Sequence, residues 1–147
     1  MADSLSKQVI LAIVAKLQAA GLPDGASITR SRTIAIADTA SAEISVYRIE
    51  EDLTTTGNPR ASVLDQRNLI VEIAISAFGG DDACDPYHQW VVQQMAADRK
   101  LGGLIKSITE IKTAWDPDEG SSGTSMTVFV RFRVEYFTPP GDITKTI

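Results

Sequence analysis

With one cysteine and one histidine among 147 residues, the chain has little of the usual equipment of catalysis. Cys84 has no internal partner for a disulfide, which points to synthesis in a reducing compartment, and its thiol reads as a surface bystander. A lone His88 excludes multi-histidine metal centres and most nucleophile triads, since these need several imidazoles or one oriented by a third group. No apolar run is long enough to cross a bilayer. The longest, Val9 to Ala15, belongs to a pattern interrupted by Lys7, Gln8 and Lys16. The opening Met1-Ala-Asp-Ser4 lacks the cationic flank of a signal peptide. The 14 basic residues are scattered in a chain of net charge −5, which argues against a grip on phosphate backbones. Neither Gly79-Gly80 nor Gly102-Gly103 has the lysine and Ser/Thr of a phosphate loop. They read as strand and helix terminators. Internal repeats, low-complexity segments and interdomain linkers are also missing.

What is present is an apolar content of 44%, enough for one domain around one core. Leu5, Val9, Ile10, Ile13, Val14 and Leu17 recur at three- and four-residue steps and predict an amphipathic helix over Leu5–Ala20. Ser4 is its N-cap, Gly21 its left-handed end and Pro23 a block to continuation. Its alanines, Ala12, Ala15, Ala19 and Ala20, leave the other face small enough for close approach by a neighbour. A short strand is expected near Thr33–Ala37 and a firmer one over Glu43–Glu50, where Ile44, Val46, Tyr47 and Ile49 supply β-branched and aromatic content. Glu51–Ser62, with three successive threonines and Gly57-Asn58-Pro59-Arg60, reads as an exposed hairpin loop. Leu69, Val71, Ile73 and Ile75 alternate along Arg67–Phe78 and predict a strand with one buried face. A second helix should start at Asp85-Pro86, as N-cap and first helical residue. Tyr87, Trp90, Val91, Met95 and Leu101 form its apolar side. Leu104–Trp115 and Thr124–Phe137 should pair as an antiparallel hairpin. The sum is a single α+β domain over residues 1–138, a largely antiparallel sheet with two main helices on one face. Residues 139–147 follow as a tail.

Four sharper readings compete with bland ones. A Cys84–His88 dyad would place the thiol near a helix N-terminus, yet Asp81, Asp82 and Asp85 surround it with charge that raises a thiol pKa. The acidic clusters at Asp81-Asp82…Asp85 and Asp116…Asp118-Glu119 offer oxygens to a hard cation, but glycine at the fifth position and Thr127 at the twelfth of the second cluster break the calcium-loop pattern. Solvated turns explain both. Trp90 and Trp115 are either partner anchors or core, and at least half burial is expected of each. Arg131, Arg133 and Glu135 share one strand face, which must be wet or meet complementary charge.

From Asp85 to Thr138 the order of parts is a capped helix, the end Asp98…Leu101-Gly102-Gly103, two strands joined by Asp116-Pro-Asp-Glu-Gly-Ser-Ser-Gly123, and the closing strand Phe132-Arg-Val-Glu-Tyr-Phe-Thr138-Pro. This order resembles the tail terminator proteins of long-tailed bacteriophages, over roughly the C-terminal half and more weakly upstream of Arg67. The resemblance implies a non-enzymatic virion subunit that rings the head-proximal end of the tail tube as a hexamer and stops its growth. It further implies assembly in the host bacterial cytoplasm, with no cofactor and no membrane. Its partners would be tail tube protein, a neck or head-completion protein and, in a contractile tail, sheath protein, with DNA only as passing cargo. Candidate interface residues are Thr54, Thr55, Thr56, Asn58 and Arg60 in the polar excursion, Arg131, Arg133 and Glu135 on the charged strand face, and Ile143 and Ile147 in the tail. The tail is expected to be mobile in the free subunit and ordered across a neighbour. Readings from other classes are another neck or tail ring protein, a small enzyme using Cys84–His88 or a carboxylate-bound metal, and a monomeric module binding a ligand through Glu51–Ser62.

Overall fold

The apolar stripe at the start of the chain forms helix α1, Leu5–Ala19, in a computed structural model that describes residues 2–23, 26–30, 42–56, 64–78, 81–117, 125–144 and 146. Its capping is as expected: Ser4 Oγ accepts the Lys7 N–H at 3.3 Å, and Gly21 takes φ of 81° just beyond the end. Leu5, Val9, Ile10, Ile13 and Leu17 are buried, while Ala15, Ala19 and Ala20 face outward.

The sheet has the order β1-β2-β3-β5-β4, built from β1 (Ala26–Thr29), β2 (Ala42–Thr56), β3 (Leu64–Phe78), β4 (Ser107–Pro117) and β5 (Ser125–Thr138). Every adjacent pair is antiparallel except β1 with β2. One face carries Ile44, Val46, Leu69, Val71, Ile73, Ile75, Val128, Val130, Phe132, Val134 and Tyr136, all buried against α1 and α2 (Asp81–Ala97). Each such side chain contributes roughly 1.5–3 kcal/mol of transfer free energy on leaving water. The α+β class and the single helical layer are therefore as expected.

Several local expectations are corrected. The anticipated strand at Thr33–Ala37 lies outside the described residues, and the first strand is instead β1, running parallel to the start of β2. Glu51–Thr56 is not loop, because β2 continues through it in register with β3, Glu51 opposite Leu69 and Thr56 opposite Leu64. Cross-strand pairing overrides the unfavourable Glu51 and Asp52, and the three threonines suit a strand. Helix α2 begins at Asp81, so Pro86 lies inside it and cannot donate to the turn before. Cys84 in that added turn is fully buried rather than a surface thiol, and its Sγ donates to the Met126 carbonyl at 3.3 Å. Burial of Cys84, Val91 and Met95 holds the turn despite the proline.

Beyond α2, Asp98 accepts the N–H groups of Lys100 (3.3 Å) and Gly102 (2.8 Å) with its two carboxylate oxygens. Leu101, Gly102 and Gly103 then take φ of 48°, 68° and 93°. Three successive left-handed residues turn the chain sharply into β4. Glycine serves at two of them because a Cβ costs roughly 1–2 kcal/mol in that conformation. Leu101 bears the cost because its side chain is buried in the core. The tail is corrected as well. It is pinned to its own subunit: the Ile143 carbonyl accepts the Leu5 N–H at 2.6 Å, and the Thr144 carbonyl accepts from Gln8 Nε2 at 2.9 Å. Leu5 opens α1, where N–H groups have no helical acceptor, so the tail supplies one.

Candidate assembly surface

Alternation along β5 sends Arg131, Arg133 and Glu135 to the face away from the helices. The register places them beside the outward residues of β3: Arg131 opposite Glu72, Arg133 opposite Ile70, Glu135 opposite Asn68. Glu50 and Asp52 of β2 continue the last two rows. Arg131 Nε lies 3.3 Å from Glu72 Oε1, a carboxylate whose side chain is only 7% exposed. Arg133 Nε is 3.8 Å from Glu135 Oε1, and Ser107 Oγ donates to Glu135 Oε2 at 3.2 Å. Asp52, Gln66, Asn68, Ile70, Arg133 and Glu135 together line a shallow polar depression. Such a surface fits a flat, polar, charge-matched partner rather than a small apolar ligand.

The structure brings some expected interface residues together and separates others. Thr54 is exposed on the same face, in the row of Gln66 and Phe137, next to the depression. Thr55 and Thr56 end β2 opposite Asp65 and Leu64. Ile143 is 45% exposed but lies at the start of α1, away from the depression. Asn58, Arg60 and Ile147 lie outside the described residues.

A polar cluster that sequence reading missed closes one end of the core. The Tyr136 hydroxyl donates to Glu51 Oε1, Arg67 Nη1 sits 3.5 Å from Glu51 Oε2, and Arg67 Nε donates to Thr138 Oγ1 at 3.0 Å. Burial and, after it, the Glu51 carboxylate push the Tyr136 pKa well above the ordinary phenol value. Assigning Glu51 to a loop hid this cluster. The one available signal was the alternation that puts Tyr136 on the core face, where a hydroxyl requires a partner.

The other candidate residues are not arranged for chemistry. Cys84 Sγ is enclosed by the ends of β3 and β5 and hydrogen-bonded to carbonyls, so a Cys84–His88 dyad has no accessible nucleophile. His88 meets Trp115 edge to face, with ring centroids 6.0 Å apart, and its Nε2 is buried with no hydrogen-bond partner among the described residues. Trp90 is partly buried, but Trp115 is 56% exposed, against the expectation of half burial. It sits on β4, which among the described residues has a neighbouring strand on one side only. No group of three or more metal-binding side chains occurs among the described residues, and no helix there is long and apolar enough to cross a membrane.

No protein-family model matches the chain, and no curated protein matches it either. Among solved structures it is similar to a chain of the virion of a native gene transfer agent particle, at 10% identity and a TM-score of 0.56 over 88% of this chain and 95% of that one. At this identity the likeness is one of fold.

Proposed function

We propose that this protein is a structural subunit of a phage-like virion, and within it a tail terminator: a ring, hexameric by the resemblance of its C-terminal half, that docks on the head-proximal end of the tail tube. One face of the ring copies the tube's top and binds there. The other refuses a further tube subunit and meets a neck or head-completion protein, so growth stops by withholding an interface. Sheath protein is a further partner if the tail contracts, and DNA passes without being gripped.

The observation that carries this reading is the fold likeness to a virion chain, which spans nearly all of both chains. The Asp98…Gly103 turn and the charged β5 face are consistent with it. Tube protein polymerised with and without this protein, viewed by electron microscopy, provides the test. Tubes of uniform length bearing a terminal ring are expected with it, and overlong uncapped tubes without it. Unlimited growth in both cases overturns the reading.

A further inference from the structure

The sheet has two long edges, one on β4 and one on β2. Among the described residues β1 pairs only with Ala42–Ser45, so Arg48–Thr56 of β2 has β3 on one side and no strand on the other. Along β4, β5 is the single neighbour among the described residues. Exposed edges are pairing templates and are ordinarily guarded. Each of these carries a β-bulge, at Ile49 between Arg48 and Glu50 and at Ile111 between Glu110 and Lys112. Both bulges fall at the same level of the sheet, because Arg48, Val71, Phe132 and Glu110 form one row across it. That row starts with a cation at one edge and finishes with an anion at the other, both exposed and neither in an ion pair among the described residues.

We infer that copies of this chain join edge to edge, Arg48–Asp52 of β2 in one copy pairing antiparallel with Ser107–Glu110 of β4 in the next, with Arg48 opposite Glu110. This inference rests on the ring reading above. Strand polarity alternates through β2, β3, β5 and β4. A copy related by rotation therefore presents its β2 antiparallel to the neighbour's β4, and the alternation continues across the seam at every junction. The contact is head to tail, the kind that closes into rings. Glu50 and Lys112, outward-facing and one position to either side of the shared row, become diagonal neighbours of opposite sign. The matched bulges bend both edges at one level, which a closed, curved sheet requires. Ile111, 43% exposed in the single subunit, is covered.

Sedimentation velocity over a concentration series tests this with wild type, Arg48→Glu, Glu110→Arg and the double variant. Each single change sets like charges opposite one another and should raise the concentration for half-assembly about tenfold, while the double variant restores the pair with reversed signs and should return most of the loss. Thermal unfolding of each variant checks that its subunit is folded. If Arg48→Glu disturbs α1 through its bond to Ser6 (2.9 Å), Ile111→Lys probes the β4 edge independently and should also weaken assembly. A second measurement uses Arg48→Cys with Glu110→Cys. These sites lie three strand spacings apart within one subunit, about 14 Å, so oxidation should yield a ladder of linked multimers and no intramolecular disulfide. Assembly of the charge variants equal to wild type, or a double variant no better than the singles, overturns the edge pairing and leaves the ring reading standing. A wild type that stays monomeric, alone and with tube protein, overturns both.

Discussion

Among the described titratable groups, Tyr136 is one whose surroundings clearly shift its ionisation. Its ring completes the core on β5 while its hydroxyl donates to Glu51, which Arg67 also holds. Removing the hydroxyl (Tyr136→Phe) should cost about 1 kcal/mol at neutral pH, measured by urea unfolding. The raised pKa has a signed consequence. The unfolded chain loses the phenol proton at about pH 10 and the folded chain only above that. The stabilisation is therefore whole below about pH 10 and declines above it, by about 1.4 kcal/mol per pH unit. Tyr136→Phe should decline less steeply between about pH 10 and 11. Cys84 gives a second expectation at this scale. Its sulfur is enclosed, so reaction with a thiol reagent should require local opening and run on the order of a thousandfold slower in native protein than in urea. Rapid native modification would contradict the enclosed geometry.

Among the elements, the tail carries the clearest consequence. A segment with two prolines and no apolar period reads as a free end, but its carbonyls at Ile143 and Thr144 meet donors at the start of α1. Deleting Gly141 to Ile147 should therefore destabilise the subunit by about 1–2 kcal/mol and speed exchange of the Leu5 amide. An unchanged Leu5 amide would mean that the tail contact is not kept in solution. Arg48–Thr56 of β2 and the whole of β4 differ from the tail in kind: among the described residues no strand pairs with their outer sides.

Over the whole molecule the two sheet faces divide the labour. One is dry and holds the subunit together; the other is buried around Ser45, Ala74 and Ser76 but charged and open around Asp52, Arg133 and Glu135, and we assign that open part to partner docking. That division separates two arginines two residues apart. Arg133 is 47% exposed and beside Glu135, so Arg133→Glu should change unfolding by about 0.5 kcal/mol or less while tails fail to join heads. Arg131→Ala strands the nearly buried Glu72 carboxylate and should lower stability by about 1–3 kcal/mol. Normal joining by Arg133→Glu would remove the β5 face from the docking surface.

Periodicity and capping chemistry are local, and they alone determined α1 with its Ser4 and Gly21 ends, the buried rows of β3 and β5, and the break at Leu101-Gly102-Gly103. Each of those depends on side-chain spacing within one segment or on a backbone conformation that glycine adopts without strain. The tertiary structure decided what depends on a partner distant in sequence. Glu51–Thr56 became strand because β3 lies alongside, the turn before Pro86 became helix because Cys84 is buried beneath β3 and β5, and the tail was ordered by the open donors of α1. The row from Arg48 to Glu110 is of the same kind, since residues 62 positions apart in the numbering share a level only once three intervening registers are set. No spacing within a single strand encodes that, because register is a relation between strands.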